Sequence, residues 1–542
     1  MNLIINLKKR GGNNVKKTKR IFCSILSIIM MLGLLAGCGK SSTSSSSSTP
    51  TKGGKLTIGL NQVPKNLDPI KYTGTYESDV MAAIFDTLVT YDKNLKNIVP
   101  SIATKWTVSS DMTEYTFDLR KDVYFQKGKY QNGRKMTAED VKYSIERSAK
   151  QSAMKRLRGV QSVTVTGDDQ VKVKLDKPNA TFLVQLTDEG NAIVPKEEVE
   201  GWGDQFGLHP VGTGAFSFSS WAKDDNITLK KNDKHFGTKA NVDTLVWKFI
   251  PDDSMMVNAI KTGEIDIATT VPGAQRNSIK NDKNLSLVST PGLDVYFTAM
   301  NMQNGPTKDI RVREAISYAV DVDQIVKSIF KWGGATRAYS PVPPKSWGYN
   351  SDMKNLAVKH DLKKAKELMK EAGYENGFKA TIVTPQDPNR IKMATILQTQ
   401  LKEIGIDLQI SSMEWGSFSD TVSKGKADFY TLAWSWYPDP DFFLYQMFSS
   451  KQIGALGNGQ GYKNDEVDKL LDEATQKTVN QSERAETYKK IQEIIAKDYP
   501  RIEGWNQDEV NAVRNKVHGY YVYPDGLIRV VSPGENVWVD KQ

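Results

Sequence analysis

Ile391-Lys-Met-Ala-Thr-Ile-Leu-Gln-Thr-Gln-Leu-Lys-Glu-Ile404, then Gly405, then Ile406-Asp-Leu-Gln-Ile410 is the stretch that decides the fold class. It reads as a helix, a glycine stop and a strand. The same alternation continues on both sides. Upstream, Asp361–Ala372 is an amphipathic helix closed by Gly373, and Asp309–Ile329 is helical in pattern. Downstream, Asp465–Ala474 and Gln481–Asp498 read as helices, the second ended by Pro500. Nearer the N-terminus, Lys55–Leu60 and Tyr115–Leu119 are strands by β-branched and aromatic content. Ser78–Val89 reads as a helix with Val80, Ile84 and Leu88 on one face. Thr137-Ala-Glu-Asp140 is a capping box that opens a helix towards Ser148. Val160–Leu175 alternates twice around Gly167-Asp168-Asp169, the pattern of a hairpin, and Val211–Phe216 is a glycine-punctuated crossing. Strands alternating with helices throughout make the class α/β.

Charge and cysteine content narrow the function. The formal charge is +10, but residues 1–37 hold seven Lys and Arg and no acid, which leaves +3 on the other 505 residues. A nucleic-acid binder shows a basic face or block, so that class loses its support. Two cysteines exclude a disulfide scaffold, and four histidines at least 26 residues apart give no cofactor or metal motif. The basic N-terminal stretch ends at Arg20, and Ile21–Leu35 follows without a charge. A spanning helix needs about 20 apolar residues, so this run fits a signal-peptide core. It ends in Leu35-Ala36-Gly37-Cys38, which resembles the lipobox of bacterial lipoproteins; the implied anchor is a lipidated Cys38. Ser41–Thr49 is an unbroken Ser/Thr run closed by Pro50, a flexible tether. Residues 1–37 are thus expected to be a signal peptide and 38–50 a tether.

Several segments line up, in order, with one family. Ile84–Tyr91, Pro100–Trp106, Leu119–Phe125 and Thr137–Arg147 carry its signature; so do Val211–Phe216, Asp309–Asp321, Leu401–Asp407 and Tyr437-Pro-Asp-Pro-Asp441 with Phe442. Over residues 53–530 the chain resembles the family 5 extracellular solute-binding proteins, the peptide-binding components of ABC importers. The resemblance implies a two-lobed, periplasmic-binding-protein-like fold of the large three-domain type II variant, with a ligand cleft between the lobes. It implies a discontinuous domain I (51–92, 212–296 and 505–542), domain II at 93–211 and domain III at 297–504. The implied partners are a peptide ligand, permease and ATPase subunits and, through the lipid, the membrane. The implied location is the outer face of the cytoplasmic membrane of a Gram-positive bacterium. No cofactor and no nucleic acid are implied.

The candidate binding residues cluster late in the chain. Trp434-Ser435-Trp436-Tyr437 is read with Thr431–Trp436 as a strand, which puts Trp434 and Trp436 on one face, and Trp415 precedes them. Core packing and a ligand wall both account for such a tryptophan. Asp439 and Asp441 read either as a cation site or as a turn with an Asx cap. Arg390 follows Gln386-Asp-Pro-Asn389 and opens a helix. In dipeptide-binding relatives an Arg near this place holds the ligand carboxylate, a role that suits a planar fork; a solvated surface Arg is the other reading. Tyr76 lies in the loop Tyr72–Glu77, a second place for ligand contacts. Peptide-binding relatives also tend to carry an Asp shortly after the Trp, for the ligand's ammonium. Here Trp436 or Tyr437 stands there, and the nearest carboxylate is Asp439. Longer or blocked peptides and oligosaccharides therefore remain alternatives. There is no G-x-S-x-G elbow and no P-loop in a folded segment, so the reading is a binder without catalysis. A peptide-signal sensor and, further off, a secreted hydrolase stay open.

Overall fold

The computed structural model describes residues 50–72, 74–152, 157–435 and 437–540. Cys38, the signal peptide, the Ser/Thr tether and Trp436 lie outside the described residues. Among the described residues no helix is long and apolar enough to cross a membrane.

An eleven-stranded sheet runs through both lobes. In the first lobe Lys55–Leu60 pairs in parallel with Thr244–Phe249, and Asn226–Lys231 and Phe216–Ala222 continue the sheet antiparallel to its edge. In the second lobe Phe378–Pro385 pairs in parallel with Ile406–Met413. The helix between them spans Pro388–Lys402, so the helix and strand quoted above are the second and third elements of a β-α-β unit. Two long strands join the lobes: Leu285–Met300 and Arg501–Arg514 run antiparallel and pair along most of their length. At their outer ends they belong to the first lobe, where Arg501–Arg514 also pairs with Ile267–Ala268. At their inner ends Leu285–Met300 pairs with Phe429–Trp434 of the second lobe. The change of partner coincides with a register shift between Pro291 and Val295. A Cβ at Gly292 would stand 2.5 Å from the Gln507 carbonyl oxygen, so only glycine lets the strands approach this closely.

A separate antiparallel sheet of four strands lies between residues 103 and 175, with the helix Ala138–Gln151 beside it. Its core includes Phe117, Val141, Ile145 and Val171. The expected hairpin is its edge, Val160–Gly167 with Gln170–Leu175. Thr137 and Asp140 form the expected capping box.

Three local expectations are corrected. The helix expected at Ser78–Val89 occupies Thr75–Ile84, and Val89 begins a short strand. It stops because the Ile84 carbonyl accepts from the Gly214 N–H (2.8 Å) and the Gln126 amide (2.9 Å). A Cβ at Gly214 would stand 2.5 Å from the Ile84 carbonyl carbon, which explains the glycine crossing. Asp309–Ile329 is two helices, Ile310–Ala319 and Val322–Ile329. Asp321 divides them by capping the second through the Gln324 N–H at 2.9 Å. The strand expected at Thr431–Trp436 spans Phe429–Trp434.

Candidate functional site

The irregularity in the crossing strands exposes polar groups between the lobes. Asp294 sits in the register shift, half-buried. Ser435, just past the end of Phe429–Trp434, stands near its carboxylate. Burial raises the Asp294 pKa, while Ser435 and the Arg390 charge pull it back. Tyr296, two residues on, stacks on Trp505 of the other crossing strand with ring centres 4.7 Å apart.

Arg390 is in the first turn of the helix Pro388–Lys402, whose N-cap Asp387 accepts the Arg390 backbone N–H at 2.8 Å. Its guanidinium lies over the Tyr296 ring, 5.5 Å from the centre. Nε and Nη1 are buried and bond to nothing among the described residues. The Asp387 carboxylate is 4.0 Å from Nε. A cation in the first turn opposes the helix dipole. Leaving its donors bare adds a desolvation cost on the order of 1–3 kcal/mol. A bound carboxylate would answer both terms, because the helix N-terminus and the guanidinium both favour an anion.

The facing wall is acidic. Glu509 on the crossing strand makes no hydrogen bond or ion pair among the described residues. Burial and the carboxylates of Asp294, Asp525 and Asp79 push its pKa up. Asp79 is 6% exposed and accepts the Ile528 N–H at 2.8 Å. Glu189 accepts the Ser78 hydroxyl at 3.0 Å, and burial and Asp188 raise its pKa. The cation nearest these acids is Arg529, held by a two-pronged bond to Asp525 at 2.9 and 2.7 Å. The charged and titratable groups that line a cavity of about 320 Å³ are mixed in sign, Asp86, Glu189 and Asp525 with Arg120, His235 and Arg529, and Tyr91 and Tyr437 line it too. Tyr437 is its contribution from the second lobe.

The other expected residues fall in different surroundings. Trp434 is partly buried and donates from Nε1 to the Phe442 carbonyl at 3.0 Å. Tyr437 meets Phe442 edge to face, with centres 5.0 Å apart. Trp415 is 50% exposed at the start of the helix Trp415–Ser423 and stacks on Phe418. Tyr76 is half-buried in the first turn of Thr75–Ile84; burial, then Glu77, raises its pKa. Asp439 is 0% exposed and Arg484 5%, and their side chains meet at 3.0 Å. The structure thus brings Ser435 and Arg390 together around Asp294, Trp434 and Tyr437 around Phe442, and ties Asp439 into the second lobe. Sequence reading missed Asp294, Asp79, Glu189 and Glu509. They come from four distant segments, and the only local signal was the Pro291-Gly292 break in a β-rich run.

The lobes touch directly. The Ala180 N–H donates to the Thr475 carbonyl at 2.8 Å, and the Gln481 amide to the Lys96 carbonyl at 3.2 Å. Tyr91, Leu95 and Val184 form one apolar cluster with Phe442 and Tyr523. The cleft is closed.

Residues 97–455 match the family model for bacterial extracellular solute-binding proteins, family 5, middle region. The chain belongs to this family. It is 30% identical over 491 residues to the dipeptide-binding protein of Escherichia coli K12, covering 85% of this chain and 91% of that one. It is 28% identical to the heme-binding protein A of Haemophilus influenzae, covering 91% and 95%. The periplasmic binding protein DppA of Helicobacter pylori, solved with the peptide STSA, superposes with a TM-score of 0.78 at 33% identity, covering 91% of this chain and 99% of that one.

Two of the segments that carried the family resemblance supply framework contacts. Arg147, which ends one of them, grips the Asp68 carboxylate at 2.8 and 2.7 Å, both side chains buried. Arg313, in another, donates to the carbonyls of Asp498, Thr307 and Lys308. These interactions fix one segment on the next.

Proposed function

We propose that this family 5 protein captures short peptides between its lobes and delivers them to an ABC importer, without catalysis, from a lipid anchor at Cys38. The observation that carries the reading is Arg390: a buried guanidinium with two bare donors at a helix N-terminus. The peptide carboxylate seats there. Its ammonium seats on Asp294, which supplies the carboxylate missing after Trp434. Thr431–Trp434, paired on one side only and continued by Ser435, offers backbone groups for pairing with an extended ligand, and this gives affinity with little dependence on sequence. Opening is a hinge motion at the register shift, where the crossing strands change partner between Pro291 and Val295. Domains I, II and III take the boundaries expected above. The anchor follows from the lipobox, since two acyl chains hold a protein on a membrane where one is marginal.

Native mass spectrometry of the protein as purified tests this reading. The expected retained ligands are peptides of a few residues, and calorimetry with synthetic tripeptides should reproduce the binding. Retention of a haem or an oligosaccharide, with no heat from any peptide, would overturn it.

A further inference from the structure

A second gap between the lobes lies apart from the groups assigned to the ligand. This cavity of about 150 Å³ is walled by Arg158, Asp176 and Lys177 of the first lobe and by Asp441, Asp472 and Thr475 of the second. Arg390, Asp294 and Ser435 do not line it. Thr475 is the residue whose carbonyl accepts the Ala180 N–H across the lobes. Asp472 is held within its own lobe by the Lys451 ammonium at 2.9 and 2.8 Å.

Arg158 is fixed on one side of this gap and bonded on the other. Its backbone N–H donates to Gln185 Oε1 at 3.0 Å, and Gln185 is buried in the first lobe. Its guanidinium crosses over: Nη1 and Nη2 donate to the side-chain oxygen of Gln446 at 3.2 and 3.1 Å. That orientation of the amide keeps its own N–H groups away from the cation. Gln446 stands in the helix Asp441–Phe448 of the second lobe. The charge of Arg158 is felt at the start of the same helix. Burial and then Asp439 raise the Asp441 pKa, and Arg484 and Arg158 pull it back. Among the described residues the guanidinium has no hydrogen bond to its own lobe. Bonds of this kind form when the lobes meet and are exchanged for water when they part, so they stabilise closure rather than the folding of either lobe.

We propose that Arg158 is a closure latch: a positioning residue that touches no ligand, holds the cleft shut through Gln446 and so sets how long a captured molecule stays. The proposal rests on the closing of the lobes described above and not on the class of the ligand. It therefore differs in kind from the role given to Arg390. Loss of Arg390 should discriminate between ligands, and loss of Arg158 should weaken them all by the same factor.

Stopped-flow measurement of tryptophan emission, with Ala-Ala-Ala and its C-terminal amide on the whole mature protein, tests it. In Arg158→Met both peptides should dissociate about tenfold faster, the scale of hydrogen bonds from a charged donor. Association should stay within about twofold, since the latch forms after encounter. Gln446→Met should have the same effect and carries the test where Arg158→Met does not fold. The double variant should lose no more than about the larger single loss, because the two side chains share one contact. The melting temperature of the unliganded protein should stay within about 2 °C of native, which a purely structural role would not allow. Dissociation within about twofold of native in the folded variants overturns the latch and leaves peptide capture standing. So do single losses that multiply in the double variant, or an unliganded melting temperature that falls with them. If neither peptide binds the native protein, the peptide reading falls. The molecule retained on purification then serves as the probe, its loss after dilution is followed by native mass spectrometry, and the same tenfold acceleration in Arg158→Met upholds or overturns the latch.

Discussion

Arg484 and Arg390 are two buried guanidiniums in one lobe, and they are opposites. Arg484 bonds both oxygens of Asp439, at 3.1 and 3.0 Å, the Tyr488 hydroxyl at 3.0 Å and the Ala474 carbonyl at 2.8 Å. The planes of Trp347 and Tyr488 cover it. Asp439 Oδ1 also accepts the Asp441 N–H. Arg390 is equally taken from water at Nε and Nη1 and meets only the Tyr296 ring and its own cap residue from 4.0 Å. A buried charge with its partners in place belongs to the framework. One whose donors are bare is held for something that arrives later. The contrast separates the two roles better than residue type or position does, since both arginines follow polar turns and open helices.

The largest effect should come from breaking the satisfied side. Arg484→Ala leaves Asp439 buried and uncompensated, which typically costs about 3–5 kcal/mol. Denaturant unfolding should show the loss in the second lobe. A loss under about 1 kcal/mol would mean that the pair is not framework, and would return Asp439 to the set of ligand groups.

The next effect falls on the other arginine and on another observable. Arg390→Met keeps an apolar stem against Tyr296 and removes the fork. Stability should change little, because no bond inside the protein is lost. Affinity for a peptide with a free carboxylate should fall by about 1.5–3 kcal/mol, the range for hydrogen bonds to a charged group. The amidated peptide should lose much less. Equal losses for both peptides, by calorimetry, would remove the carboxylate assignment.

How far this was readable beforehand depends on the reach of each interaction. Helix ends and glycine stops are local, so the helix and strand of Ile391–Ile410 and the capping box at Thr137 were legible, while the strand Phe378–Pro385 that completes the β-α-β unit was not read. The break at Asp321 was legible in principle, since Asp followed by a polar first turn is a cap, but the apolar pattern ran across it. The crossing strands were not legible. Their residues meet partners some 200 positions away, and the periodicity of Leu285–Met300 is interrupted by Pro291 and Gly292. The site follows the same rule. Arg390 was visible because its helix start was visible. Asp294, Asp79, Glu189 and Glu509 have ordinary neighbours in sequence, and only the topology assembles them. The Tyr437–Phe442 segment was visible, yet its most conspicuous acid, Asp439, turned inward to Arg484.

Asp441 extends the comparison to pH. Its carboxyl is buried beside the Asp439 charge; burial first and then Asp439 push its pKa up to about 7, against 3.8 for the unperturbed group. Between those values the folded protein holds a proton that the unfolded chain releases. Stability from this group is therefore full below about pH 4 and is lost as the pH rises through about 7, with a slope of at most ~1.4 kcal/mol per pH unit. Asp441→Asn should flatten that part of the stability profile. An unchanged slope between pH 4 and 7 would show that Asp441 is ionised within the fold and that Arg484 serves both acids.

The smallest effect separates two tryptophans as the larger ones separate two arginines. Trp434 is packed and bonded, with Nε1 on the Phe442 carbonyl and its ring edge near Gly457. Trp415 stands half in solvent and rests on Phe418. Binding hot spots are aromatic side chains that become fully desolvated, while rings at a wet rim contribute little. Trp415→Ala should therefore change stability by no more than about 0.5 kcal/mol, as surface substitutions do, and peptide affinity by less than about threefold. Trp434→Phe should cost about 1 kcal/mol in stability through the lost indole bond. If Trp415→Ala weakens peptide binding tenfold while Trp434→Phe leaves it unchanged, then the ligand lies along the Trp415 helix rather than beside Ser435. The ammonium would in that case be bound away from Asp294, and the bare donors of Arg390 would be left without the partner assigned to them.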